Sequence, residues 1–90
     1  MDLIFKVLAD KSRRKILEVL KEKDMTVGEI AKHFTFTGAT LSHHLDILKK
    51  TRLVVSERKG QYVKYSLNTS VFEEMIALFL NIFQRKGENL

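Results

Sequence analysis

Residues 26–48, TVGEIAKHFTFTGATLSHHLDIL, constrain the fold of this chain more than any other stretch. Thr26 and Glu29 have the spacing of a capping box, in which each side chain satisfies the other residue's free backbone N–H. Ile30, Ala31 and Phe34 supply an apolar stripe for the helix that follows. Thr37 is placed to cap a second helix. At about 100° per residue, Leu41, Leu45 and Leu48 fall on one narrow stripe of that helix. Ala39, His43 and Lys50 lie on the opposite side, with Thr40 and Ser42 on its flanks. A short capped helix, a tight polar turn, and a second helix with small, hydroxyl and imidazole groups outside form the pattern of a helix-turn-helix that reads a DNA groove. The plainer alternative is a helical hairpin whose polar face meets only solvent.

The next stretch separates the two. Leu53-Val54-Val55 and Tyr62-Val63-Lys64-Tyr65 are β-rich runs on either side of Arg58-Lys59-Gly60-Gln61. Gly60 supplies the positive φ that a tight hairpin needs. By strand alternation Val63, Tyr65 and Leu67 share one face. A basic-tipped hairpin directly after a helix-turn-helix reads as a wing, with Arg58 and Lys59 placed to meet phosphate.

Charge distribution agrees. The chain has 90 residues, a net charge of +5 and no cysteine, which excludes disulfides and thiolate metal sites. Six basic and two acidic residues fall within residues 11–23, and again within residues 37–65. The remaining segments are slightly acidic. Basic charge gathered on the helix-turn-helix and wing is the footprint of a polyanion partner. The sequence shows no signal-peptide run and no stretch of the roughly 20 apolar residues a membrane span needs. A cytoplasmic location is expected.

The ends of the chain carry a different signal. Residues 2–9 form a short helix with Leu3, Ile4, Val7 and Leu8 apolar, and Asp10 or Ser12 caps a second helix reaching about Lys23. Ser70 and Glu73 are spaced as a further capping box. Ten of the thirteen residues in 71–83, VFEEMIALFLNIF, are apolar. Phe72, Met75, Ile76, Phe79 and Phe83 cover one face of the predicted helix, and Val71, Leu78 and Ile82 another. One face docks the helix on its own domain. The surplus calls for a second surface, because large exposed apolar patches are unusual on soluble monomers. A homodimer through residues 2–9 and 70–84 is expected, with Leu3, Ile4, Val7, Phe72, Met75, Ile76, Phe79 and Phe83 at the interface. The segment lacks the Lys/Arg-rich polar face of a membrane-surface helix.

Leu8-Ala9-Asp10-Lys11-Ser12-Arg13-Arg14-Lys15-Ile16-Leu17 and Thr40-Leu41-Ser42-His43-His44-Leu45, with Arg58-Lys59-Gly60 and Tyr65-Ser66-Leu67 in the wing, resemble the ArsR/SmtB family of winged-helix repressors. The resemblance spans almost the whole chain, and is strongest to the small SdpR-like autorepressors that lack metal ligands. It implies a mostly α, winged helix-turn-helix fold of five helices with a β-hairpin wing. It also implies a homodimer joined by its first and last helices, and repression of a promoter carrying an inverted repeat. Three positions depart from the pattern: Lys11 where the family often has proline, Gly38 where many members have glutamine or another polar reader, and Asp46 near the outer face of the recognition helix.

The expected organisation is one domain over residues 1–90, with a recognition helix near 38–50, a wing near 53–67 and a dimerisation helix near 70–84. Thr37, Thr40, Ser42 and His43 are the expected contacts near the helix N-terminus, to bases or phosphates. Lys49, Lys50, Arg52, Arg58, Lys59 and Gln61 are expected to hold the backbone of double-stranded DNA. Arg13 and Arg14 are either further backbone contacts or ion-pair partners of Asp10 or Glu18. His44, beside the buried stripe, reads as a packing histidine.

A metal is not expected. Adjacent Glu73 and Glu74 diverge by about 100°, as do His43 and His44, and His33 stands alone. Ser42, His43 and Asp46 splay outward from one or two helical turns, which does not suit catalysis. Two other readings stay open: a protein-interaction module using the apolar last helix, and a sensor with a small apolar ligand between Phe72, Phe79 and Phe83.

Overall fold

A computed structural model of the chain describes residues 2–84. Helices α1 (Asp2–Leu8), α2 (Lys11–Glu22), α3 (Val27–Ala31), α4 (Gly38–Lys50) and α5 (Thr69–Phe83) are joined by strands β1 (Met25–Thr26), β2 (Val54–Lys59) and β3 (Tyr62–Leu67). This is the expected winged helix-turn-helix of five helices, with one addition. The hairpin β2–β3 gains a third antiparallel strand, in the order β1-β3-β2, with Met25 opposite Tyr65 and Thr26 opposite Lys64.

Each helix starts where its sequence says it should, except the last. Asp10 caps α2 by accepting the backbone N–H of Arg13 at 3.1 Å. The Thr26–Glu29 capping box is complete, with the Thr26 N–H donating to Glu29 Oε1 at 2.9 Å and the Glu29 N–H donating to Thr26 Oγ1 at 3.2 Å. The Thr26 N–H holds the Glu29 carboxyl below its ordinary pKa, because the charged form is the better acceptor. Thr37 caps α4 through the N–H of Thr40. Helix α5 begins two residues earlier than the Ser70–Glu73 box predicts. Its N-cap is Asn68, without a side-chain cap bond. The Asn68 N–H is tied to the carbonyl of Leu53 at 3.0 Å, so the sheet, not a local cap, fixes where this helix begins.

The wing turn is two residues long, between Lys59 and Tyr62. Gly60 has φ +63° and Gln61 has no positive φ, the pattern of a type II′ turn. The core gathers Ile16, Ile30, Leu41, Leu45, Leu48, Leu53 and Val54, each at most 1 % exposed. The helix-turn-helix is thus bolted to α2 on one side and to the sheet on the other.

Two residues expected at a dimer interface belong to this core instead. Val7 and Met75 are 3 % and 7 % exposed within the single chain, so neither is available to a partner. Ile4 and Phe72 are partly buried against the same core. The free apolar surface runs through Leu3, Phe5, Ile76, Phe79, Leu80, Ile82 and Phe83. Phe5 and Leu80 complete it, although the helical periodicity did not single them out. From Phe79 to Phe83 every side chain is exposed, so Phe79 and Phe83 enclose no cavity among the described residues of the single chain.

Candidate nucleic-acid interface

The second helix of the pair is divided along its length. Leu41, Leu45 and Leu48 are sealed, while Thr40, Ser42, His43, Asp46, Lys49 and Lys50 are exposed. Thr37 and Arg52 at its two ends are exposed, as are Arg58, Lys59 and Gln61 in the wing. All ten expected DNA contacts are therefore solvent-accessible on α4, its caps and the wing.

Their chemistry is not equal. The Thr37 hydroxyl accepts the Thr40 N–H at 3.2 Å and donates its own hydrogen to Thr40 Oγ1 at 3.0 Å. Thr37 is committed to the cap, and Thr40 keeps a hydroxyl hydrogen to offer outward. Lys59 Nζ lies 3.5 Å from Glu57 Oε1, with both side chains largely exposed. Such a surface pair is weak and exchanges readily for phosphate. A Cβ at Gly38 would meet nothing within 4 Å, so packing does not demand glycine there. The exposed Asp46 has no ion-pair partner among the described residues.

Arg52, an expected contact, has a backbone conformation that the sequence did not signal. It has φ +64°, the left-handed region that glycine favours. It occupies the position after the C-cap of α4: its N–H reaches the Lys49 carbonyl at 3.0 Å, and the Leu53 N–H reaches the Leu48 carbonyl at 3.0 Å. This is a Schellman motif, and Leu48 and Leu53, the positions whose apolar side chains accompany it, are both sealed in the same core cluster. Arginine in this conformation costs about 1 kcal/mol relative to glycine. Arg52→Gly is accordingly expected to raise stability by about 1 kcal/mol while weakening duplex binding, since a cation is removed. Urea unfolding and a duplex titration on the same preparation check the two effects, and equal or tighter binding by the variant would remove Arg52 from the interface.

Arg13 and Arg14 separate in role. Arg13 Nε donates to the Val7 carbonyl at 3.0 Å, its Nη1 donates to His44 Nδ1 at 3.3 Å, and its Nη2 lies 3.8 Å from Asp10 Oδ2. It is a brace between α1, α2 and α4. A guanidinium only donates, so His44 carries its proton on Nε2. Burial is the main cause holding the His44 pKa below its ordinary value, with Arg13 and His43 adding to it and Asp10 opposing. His44 also packs against the Phe36 ring, centroids 5.7 Å apart. It is a core residue, as its position beside the leucine stripe suggests. Among the described residues Arg14 binds the Leu8 carbonyl alone, at 2.7 Å, and it is exposed.

Among the described residues, no three of His, Asp and Glu gather where they could hold a metal ion. No described helix is long and apolar enough to cross a membrane.

Comparison with known proteins accords with this geometry. Residues 10–56 match the family described as "Bacterial regulatory protein, arsR family". The chain is 48 % identical to the transcriptional repressor SdpR of Bacillus subtilis (strain 168), over 99 % of this chain and 98 % of that protein. It is 33 % identical to the arsenical resistance operon repressor of Staphylococcus aureus, over 84 % of this chain and 73 % of the relative. A crystal structure described as a possible transcriptional regulator for arsenical resistance superposes with TM-score 0.76 at 27 % identity, covering 90 % of this chain and 84 % of that one. With a capped helix-turn-helix, a basic wing and full-length similarity in agreement, the chain belongs to the ArsR family of bacterial regulatory proteins.

Proposed function

We propose that this protein is a sequence-specific transcriptional repressor acting as a homodimer on an inverted-repeat operator, autoregulatory and cytoplasmic, with no enzymatic role. The observation that carries the reading is the division of α4 into a sealed leucine face and an exposed polar face, flanked by cations at its C-terminus and in the wing. A helix so held enters a major groove without changing its packing. Two-fold symmetry then asks for half-sites about one helical turn of DNA apart, or a multiple of it. Thr40, Ser42 and His43 act as readers. Lys49, Lys50, Arg52, Arg58, Lys59 and Gln61 hold the backbone, and Thr37 orients the first turn.

The positioning and reading roles are expected to separate by mutation. Arg58→Ala or Lys59→Ala weakens a selected and a random duplex alike, and lowers the salt slope by about one unit for each phosphate no longer neutralised. Ser42→Ala and His43→Ala instead reduce the preference for the selected duplex. Fluorescence anisotropy across a salt series measures both, and wing variants with unchanged random-duplex affinity and slope would sink the assignment.

The repressor is also proposed to be indifferent to transition metals. A metal couples to DNA binding only through a site whose affinity differs between two states, and the histidines and carboxylates here have no chelating spacing. Titration of zinc, copper and nickel to low micromolar levels against the operator complex is expected to leave affinity unchanged. A tenfold change, about 1.4 kcal/mol of coupling, would place the chain among the metal sensors.

A further inference from the structure

A cleft of about 650 Å³ opens between the start of α2 and the α3–α4 turn. Its floor is apolar: Phe34 and Phe36 lie half-buried and stacked, with centroids 4.7 Å apart and ring planes 15° apart. Its rim is cationic, carrying the exposed side chains of Lys11, Arg14 and Lys15. The one carboxylate on the rim, Glu18, lies 3.9 Å from Lys15, which leaves a positive excess. The bond from Arg14 to the Leu8 carbonyl fixes the arm of that side chain and leaves other guanidinium N–H groups for a ligand. Thr35 and Phe36 line the cleft immediately before Thr37, so it runs directly into the first turn of α4.

We propose that this cleft seats a sugar–phosphate strand of the operator, as a third DNA contact beside the recognition helix and the wing; the proposal rests on the DNA-binding reading above. The match is chemical. A DNA strand alternates anionic phosphates with the carbon edges of its sugars, and the cleft offers a cationic rim around phenyl faces. A free phosphate would use the rim and leave the floor idle. Continuity with the recognition helix selects the same duplex as the occupant. Contacts of this kind fix register and orientation without reading sequence. Phe36 joins the cleft floor to His44 of α4, and Arg13 joins His44 to α2, so a strand held here also sets the angle at which α4 meets the groove.

The test uses the full chain with Lys11→Gln and Lys15→Gln combined, beside Lys59→Gln in the wing. Anisotropy titrations run over a salt series with a duplex selected from a random pool and a random duplex of equal length. The double variant is expected to lower the salt slope by about two units and to weaken both duplexes by the same factor. Phosphate ethylation interference on the selected duplex is expected to lose a set of positions in the double variant that the wing variant keeps. An unchanged slope in the double variant, with a lowered slope in the wing variant, overturns the cleft proposal alone. So does an interference pattern identical to that of the unmodified protein. Unchanged slopes in both variants overturn the DNA-binding reading itself.

Discussion

Phe79→Glu is expected to sediment as a folded monomer at micromolar concentration and to lose about a hundredfold or more in operator affinity. Ile76, Phe79, Leu80, Ile82 and Phe83 are 43–78 % exposed on α5, and Leu3 and Phe5 on α1 add to the same apolar surface. Phe5 and Phe79 already pack together, ring centroids 5.7 Å apart. In the proposed two-fold dimer each substitution appears twice. An unpaired carboxylate in an apolar interface costs several kcal/mol, and every 1.4 kcal/mol is tenfold in an equilibrium constant. The fold survives, because α5 is anchored by Met75 while Phe79 remains 43 % exposed in the single chain. Operator affinity falls because a monomer engages one half-site at a time. Sedimentation velocity, thermal melting and an operator titration on one sample check the three parts. A dimer that persists in the variant, or a monomer for the unmodified chain at the same concentration, sinks the proposed interface.

The structure shows which patterns a single sequence carries. The helix-turn-helix was legible because its signals are local: Thr26 to Glu29 is three residues, and Leu41 to Leu48 is two turns. Strand β1 was not. It is two residues long, its partners in β3 lie about forty residues away, and Thr26 doubles as the cap of α3. The left-handed Arg52 was hidden because the usual sign of a Schellman cap is a glycine, and none is present. The apolar character of α5 was plain, but not which residues face inward. A helix that is apolar nearly all round does not encode its own rotation. The Asn68–Leu53 hydrogen bond delivers it from the sheet with Met75 inward and Leu80 outward. Outward positions on α4 and the wing were readable from periodicity. The commitment of the Thr37 hydroxyl to its neighbour was not, since it depends on a rotamer. The cleft was invisible for a simpler reason: Lys11 and Phe36 meet only after the chain has folded.

Arg13→Ala is expected to lower stability by about 2–3 kcal/mol and to make the remaining acid sensitivity shallower. The substitution leaves His44 Nδ1 without its donor, takes one of two donors from the Val7 carbonyl, which keeps the Asp10 N–H at 3.3 Å, and removes the cation beside Asp10. An unsatisfied buried polar group costs about 1–3 kcal/mol, with the lower part of that range applying where water enters. For a domain of this size, a loss of about 2–3 kcal/mol lowers Tm by roughly 8–24 °C. Arg13→Lys is expected to recover little, because an ammonium on a flexible stem does not span the carbonyl and the imidazole together. The pH dependence follows from sign. Burial, with Arg13 and His43, depresses the folded-state pKa of His44 against the opposing pull of Asp10. The unfolded chain therefore binds a proton at that site more readily than the folded one. The contribution of His44 is fully present above its unfolded value, near 6.5, and is lost as pH falls from there through the lower folded value. Asp10, depressed chiefly by the Arg13 backbone N–H, and Glu29, depressed by that of Thr26, lose theirs at still lower pH. Stability of the unmodified protein should thus decline below about pH 6.5, ahead of carboxylate titration. Without the Arg13 cation, His44 titrates closer to its ordinary value, and the first part of the decline flattens. Urea unfolding at pH 8, about 6.5 and about 5.5 resolves it. Stability of the unmodified protein that rises between pH 7 and about 5.5 would overturn the assignment of a neutral, buried His44 held by Arg13.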